Sequence, residues 1–567
     1  MKAVGPEIHI PLKYSELFEE ETSVEKLFEG MDSKFLMDCA SFFLSPKASR
    51  KFRMPKEYFK RLFSTENQPF VSEYSKKLIK IVRGRNSKPV EILNDHSSLM
   101  FCEEALKVKK QNCDITIIEM EQRVFKAYIL INEILIDKQD NIANQLKSSY
   151  SGSDKMAWMA LLSWLHNQEI INFDIYNVVI AQIKKAIFLF EFLNSKPELT
   201  EHLEKFLRDH SSQSSIEYLR GILPLVFGSI KENQGFYTAK TSSQKDAEFL
   251  TNWAASSVEA DFDFRNIRAN PLYKIEENEY RILSPLFMCE SLYNGLYFKL
   301  NTINSSLDKP NKLKNFRQFY TSNFSEKYLL NTIMRQLFEK KYVQFSGEQL
   351  DNDGISGAPD YYVRNGNNVF LFECKDVLIN GSVKSAVDYL QLEKAIKEKF
   401  YKTDKAPKAI VQQINCIEKL LNMEHKYDKR LNPSNATYYP ILITHYRMFD
   451  CPGFNKVLLE IFNSEIEQRN LSSDNIFPLT VINIDDLINY KSFFKNNLQE
   501  LQHNIIDYHR YTVWNPKKTF DSENEALNKK LSTFNSFSKF LEQKFDGQLR
   551  TSTANEIRDL LNDTLID

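Results

Sequence analysis

Residues 358–375 read Ala-Pro-Asp-Tyr-Tyr-Val-Arg-Asn-Gly-Asn-Asn-Val-Phe-Leu-Phe-Glu-Cys-Lys. The pattern predicts two strands, Asp360 to Arg364 and Val369 to Lys375, joined by the loop Asn365-Gly366-Asn367-Asn368. A register centred on that loop sets Asp360 opposite Glu373, with Cβ atoms about 4.5–5.5 Å apart on one face. Lys375 is two residues beyond Glu373 and shares that face, while Phe370, Phe372 and Cys374 point the other way. Val369 and Leu371 precede Glu373 on its own side, so the strand is apolar on both faces and is expected to be central in its sheet. Two carboxylates and an ammonium at the end of a buried strand are costly unless something offsets the like charges. Mg²⁺ does so, taking one or two carboxylates beside waters and substrate phosphate oxygens, with Mn²⁺ expected to substitute. Such an ion polarises a phosphodiester and acidifies a bound water, and Lys375 can orient that water or stabilise the developing charge. The indicated chemistry is phosphodiester hydrolysis. The plain alternative is an ordinary Glu373–Lys375 ion pair at a strand end.

The elements that must position these groups follow in a definite order. Ser325 to Lys340 reads as an amphipathic helix, with Tyr328, Leu329, Ile333 and Leu337 on one stripe and Ser325 as N-cap. A short strand, Tyr342 to Phe345, and a Gly/Asp/Asn-rich loop lead into the hairpin. After Lys375 come helical stretches at 384–401 and 407–424, a strand from Tyr439 to His445, and another near Leu479 to Ile484. This order predicts an α/β domain over 316–490, with a central mixed sheet flanked by helices. Residues 1–310 read as a mostly helical N-terminal region, with apolar residues at three- and four-residue spacing, as from Ile117 to Ile136. The segment Ser305 to Asn315, SSLDKPNKLKN, reads as the linker, and 491–567 as a helical C-terminal extension.

Pro359-Asp360 followed by Glu373-Cys374-Lys375, on consecutive strands after a helix, resembles the PD-(D/E)xK nuclease superfamily, the restriction-endonuclease-like fold with its Mrr-like and RecB-like groups. The resemblance spans roughly 316–490. It implies that Asp360 and Glu373 bind metal and that Lys375 assists catalysis. It also implies a third metal carboxylate in the preceding helix, at Glu326 in Phe324-Ser325-Glu326. A glutamine after the Lys strand is offered by Gln412 or Gln413 in Ile410-Val-Gln-Gln-Ile, although the Tyr of the full RecB-type motif is missing. The implied activity is that of a Mg²⁺-dependent endonuclease on nucleic acid, DNA before RNA. By analogy with nucleases that carry a large private helical domain, the implied role is restriction or anti-phage defence. The other expectation is an inactive nuclease-like fold kept as a nucleic-acid-binding or assembly scaffold, against which the intact Asp360, Glu373 and Lys375 speak.

In 567 residues, Gly 15 and Pro 18 are about half the usual share of these turn formers, which favours long helices. Hydrophobic content of 42% and charged content of 26% exclude a disordered chain or a small disulfide scaffold. Seven cysteines without a Cys-x-x-Cys pair argue against structural zinc. The most apolar stretch, Ile175 to Phe192, is broken by Gln182, Lys184 and Lys185, so a soluble, cytoplasmic chain with no membrane partner is expected. No Walker-type loop occurs, and NTP-driven movement would need a partner. A protein partner through the helical region and a homodimer both stay open. His445, alone at a strand end, reads as structural.

The formal charge of -1 conceals an uneven distribution. Residues 1–46 are net -5, whereas 47–88 carry thirteen Lys/Arg against Glu57, Glu66 and Glu73, net +10. Arg50, Lys51, Arg53, Lys80, Arg83 and Arg85 head the candidate phosphate contacts there, with Phe52, Tyr58, Phe59, Phe63, Phe70 and Tyr74 interleaved. Equally, the segment is a solvated face balancing the acidic stretch, its aromatics in the core. A second patch, Lys394 to Lys408, has six Lys against Glu398 and Asp404, net +4. Lys394, Lys397, Lys402 and Lys405 are its candidate substrate contacts, together with Gln412 and Gln413.

Overall fold

The computed structural model describes residues 10–45, 52–85, 90–108, 115–149, 154–165, 168–171, 173–231, 236–255, 263–339, 341–385, 388–404, 406–425, 427–513 and 523–545. Its largest sheet has five strands: β1 (Val343–Ser346), β2 (Tyr361–Asn365), β3 (Asn368–Lys375), β4 (Thr437–Thr444) and β5 (Thr480–Asn483). They lie in the order β5-β4-β3-β2-β1. The pairs β1/β2 and β2/β3 are antiparallel, whereas β3/β4 and β4/β5 are parallel, so the sheet is mixed. Helices before, between and after these strands complete an α/β arrangement.

The β2–β3 turn is tighter than a four-residue loop: only Gly366 and Asn367 lie between the strands, and Gly366 takes the left-handed φ of 59° that such turns require. The register is nonetheless the loop-centred one. It runs from Asn365 opposite Asn368 to Tyr361 opposite Phe372, and one further step brings Asp360 beside Glu373.

β3 is buried on both faces, and the two faces serve different cores. Phe370, Phe372 and Cys374 join the larger core, which extends from Leu12 through Ile303 and Phe324 to Phe545. Val369 and Leu371 join the second, with Ala157, Trp158 and Leu161 and with Ile410, Ile414 and Ile417 of helix Ala409–Leu421. Apolar packing is therefore continuous across residues 305–315, and segments of the helical N-terminal region cover both sides of the strand. Two small sheets also lie in that region, the parallel pair Ile10–Pro11 with Val90–Glu91 and a three-stranded antiparallel sheet over 238–282. Among the described residues no helix is long and apolar enough to cross a membrane.

The helix before β1 departs from expectation. It begins at Phe316, where the Asn315 side chain accepts the Gln318 N–H at 3.3 Å, and continues to Phe338 through a π-helical stretch, Tyr320–Leu330. Ser325 is thus mid-helix and fully buried rather than an N-cap. The cause is the run Phe316, Tyr320 and Phe324, which extends the apolar stripe upstream and packs on Phe192 and Tyr297. Downstream, the stretch expected as one helix at 384–401 is two, Gly381–Ser385 and Tyr389–Phe400, the second capped by Asp388.

Helix Asp154–Trp164 meets helix Phe454–Gln468 at Gly453, whose φ is 87° and whose N–H donates to the Phe534 carbonyl at 2.7 Å. A Cβ there would overlap the Ala157 carbonyl oxygen. Left-handed strain of about 1–2 kcal/mol and overpacking of about 1–3 kcal/mol act together, so Gly453→Ala is expected to destabilise by about 2–4 kcal/mol, read as a fall in the urea midpoint.

Candidate active site

Asp360 sits just before β2, where β1 ends against it. The Gly347 N–H donates to the Asp360 carbonyl at 2.8 Å, and a Cβ on Gly347 would come within 3.1 Å of the Asp360 Cα, a tight approach that a larger residue would meet only by shifting the backbone beside Asp360. Across the hairpin, Oδ2 of Asp360 accepts the backbone N–H of Cys374 at 2.7 Å. Glu373 is only 4% exposed, and its Oε1 accepts from Lys375 Nζ at 2.6 Å. Glu326 reaches the same place from the π-helical stretch, a kind of irregularity that recurs at functional sites.

The electrostatics follow from this crowding. Burial, then the charge of Asp360, pushes the Glu326 carboxyl up to about 8. The same two causes push Glu373 up to about 7. Asp360 is raised as well, by burial, with Lys375 and the Cys374 N–H working against the shift. Burial opposes the charge on Lys375, but Glu373 and Asp360 outweigh it and hold the ammonium protonated. Three carboxyl groups therefore act electrostatically on one ammonium, which only Glu373 contacts directly. They supply hard oxygen donors, with one oxygen each of Asp360 and Glu373 already engaged within the protein.

Asp376, immediately after Lys375, is the residue that the motif reading missed. It is buried, yet its carboxyl is held below the usual range, because His445, Arg317 and Ser325 outweigh the burial. Ser325 Oγ donates to its Oδ2 at 2.5 Å, and Arg317 Nη2 donates to Oδ1 at 2.6 Å and to the backbone oxygen at 2.7 Å. One helix thus both carries Glu326 and is fastened to the residue that follows Lys375. The available signal was an acid adjoining Glu-x-Lys together with Ser325 beside Glu326. His445 is buried, its Nε2 lies 3.1 Å from Cys374 Sγ, and burial lowers its pKa to about 4.

The remaining sequence-derived residues separate into distinct environments. Gln413 turns inward, donating to the carbonyls of Leu371 at 3.2 Å and Ile441 at 2.6 Å, which ties its helix to β3 and β4. Gln412 instead lines a cleft of about 390 Å³ that also contains Lys375, Lys399 and Lys408. Lys394 and Lys397 pair with Glu398 at 3.9 Å and Glu393 at 2.5 Å. Lys402 lies 3.9 Å from Glu465 and over the Tyr401 ring, and Lys405 is outside the described residues.

In the basic segment, Arg50 and Lys51 likewise fall outside the described residues. Arg53 pairs with Glu91 at 3.1 Å, and Arg85 with Glu16 of the acidic stretch. Tyr58, Phe59 and Phe63 are buried and so cannot stack on bases, whereas Phe70 and Tyr74 are half-buried against the same core. Lys76, Lys80 and Arg83 are exposed on helix Gln68–Gly84, at spacings of four and three that share a face. Comparison with protein-family models, curated proteins and solved structures finds no match.

The sign of the pH dependence is fixed by the direction of these shifts. Between the ordinary Glu value of 4.5 and the folded values near 7 and 8, the folded protein retains protons that the unfolded chain has released, so stability falls as pH rises through that window. Urea midpoints of metal-free protein should drop from pH 5 to pH 8, and Glu326→Gln should flatten the drop.

Proposed function

We propose that the chain is a metal-dependent nuclease of the PD-(D/E)xK type, hydrolysing phosphodiester bonds of nucleic acid. The observation that carries this reading is the convergence of Asp360, Glu373 and Lys375 at the end of a doubly buried strand, with Glu326 brought in by the preceding helix. The order helix, three strands, helices, strand about a mixed sheet supports it.

The donor set fits Mg²⁺, which needs only one or two protein carboxylates beside water and phosphate oxygens. Asp360 and Glu373 would hold the ion, with Glu326 as the third carboxylate, and Mn²⁺ should substitute. When bound, the ion polarises the phosphodiester and acidifies a water. The chain's own groups do the rest. Lys375, kept charged by Glu373 and Asp360, orients the attacking water and stabilises the negative charge that grows on the phosphoryl oxygens. The Cys374 N–H fixes the Asp360 carboxylate, and burial of Glu373 keeps solvent from screening the pair. A role on DNA in restriction or anti-phage defence is what the family resemblance adds. The 2.6 Å Glu373–Lys375 pair favours a second reading, in which the group is structural and the fold serves as a scaffold.

Cleavage of plasmid, linear duplex and single-stranded DNA and of RNA, with Mg²⁺ or Mn²⁺, separates the two. Asp360→Asn, Glu373→Gln and Lys375→Ala are each expected to lose about 10²-fold or more in rate. Variants that cut as fast as wild type would end the nuclease reading. For the exposed face of helix Gln68–Gly84, Lys80→Ala with Arg83→Ala should weaken nucleic-acid binding uniformly across sequences and lower the salt-dependence slope by about 2.

A further inference from the structure

We propose that the cleft beside Lys375 binds a backbone phosphate of the substrate strand, adjacent to the one hydrolysed, through Lys399, Lys408 and Gln412. This rests on the nuclease reading for what the neighbouring carboxylates do, but the anion site stands on its own geometry.

The cleft, about 390 Å³, is within the range of small-molecule sites, roughly 300–1,000 Å³, and is large enough for a phosphate and its sugar. Lys399 comes from the last turn of helix Tyr389–Phe400, while Lys408 precedes helix Ala409–Leu421 and Gln412 lies in that helix's first turn. The described residues of the connection between the helices are tied by backbone hydrogen bonds. The Lys408 N–H donates to the Tyr401 carbonyl at 3.0 Å, and the Thr403 N–H to the Ala406 carbonyl at 3.0 Å. Lys399 and Lys408 are thereby held on the same cleft as Lys375.

What distinguishes these two lysines from the rest of the patch is neutralisation. Lys394, Lys397 and Lys402 each have a carboxylate within reach. Among the described residues neither Lys399 nor Lys408 forms an ion pair. The acid on the lining, Glu398, faces Lys394 at 3.9 Å. Lys399 and Lys408 thus place two un-neutralised ammonium groups on one concave surface, beside a Lys375 already paired with Glu373, and an entering anion neutralises them. Lysine acts as a point charge well matched to phosphate, and the Gln412 amide adds a neutral donor. Because Lys375 borders both this cleft and the carboxylates, a strand gripped here presents its neighbouring phosphate to Asp360 and Glu373.

The test uses the full chain, a 5′-fluorescein single-stranded DNA of twenty nucleotides and its duplex, with binding read in EDTA across a salt series and cleavage read separately in Mg²⁺. Lys399→Ala/Lys408→Ala is expected to raise Kd about tenfold, to lower the salt slope by about 2, and to raise KM in step with Kd. Removing equal charge at exposed Lys309 and Lys314 should leave Kd and slope unchanged. An unchanged Kd and slope in the Lys399/Lys408 variant overturns the site, as does an equal loss in the Lys309/Lys314 control. If wild type cuts no substrate but the Lys399/Lys408 variant alone loses binding, the phosphate site stands and the nuclease reading falls. If wild type cuts and the variant keeps its KM and salt slope, the nuclease reading stands and this site falls.

Discussion

Burial of like charge at the end of β3 is the constraint on which the arrangement turns. The strand is apolar on both sides because each side meets a different core, so whatever its last residues carry is withdrawn from water. Glu373 and Lys375 end that strand, Asp360 lies across from them, and Glu326 descends from the helix above. Burial first, and then the excess of negative charge left by one ammonium among three carboxyl groups, push Glu326 and Glu373 upward. Such a site is held together by everything around it rather than by its own interactions.

The contrast with Asp376 makes the point locally. Three residues apart on the chain, Glu373 and Asp376 are both buried, and their carboxyls move in opposite directions. Asp376 has a guanidinium and a hydroxyl as hydrogen-bond donors, plus the nearby His445, and behaves as a structural anchor. Glu373 has a single cation, which it shares with two other acids. An unbalanced cluster next to a balanced one is the pattern expected where a fold fixes its site rigidly and leaves the charge there for a ligand to complete.

Positive charge divides in the same way. Part of the basic content of 47–88 and 394–408 is taken up by intramolecular ion pairs: Arg85 with Glu16, Arg53 with Glu91, Lys397 with Glu393. The near-zero formal total therefore hides a few cationic positions left open, on helix Gln68–Gly84 and in the cleft by Lys375. Local, salt-sensitive attraction of an anionic polymer is compatible with a neutral chain.

The sequence by itself determined what depends on short range. The hairpin, its register, the two-sided burial of β3 and the meeting of Asp360 with Glu373 were legible because alternation has period two and a Gly-containing turn fixes the centre of pairing. The strand order in 316–490 and the helices on either side of the hairpin were legible for the same reason, but helices Gly347–Asn352 and Phe454–Gln468 were not. Tertiary structure alone decided whatever depends on partners distant in the chain. Ser325 was read as a cap because the aromatic run Phe316, Tyr320 and Phe324 is meaningful only against Phe192 and Tyr297. The basic-segment aromatics had two equal readings until packing on Phe125 placed Phe63 in the core and Phe70 against it. Which lysines remain unneutralised, and that Asp376 fastens the Glu326 helix to β3, follow from contacts such as Ser325 with Asp376, 51 residues apart, a separation that no local periodicity encodes.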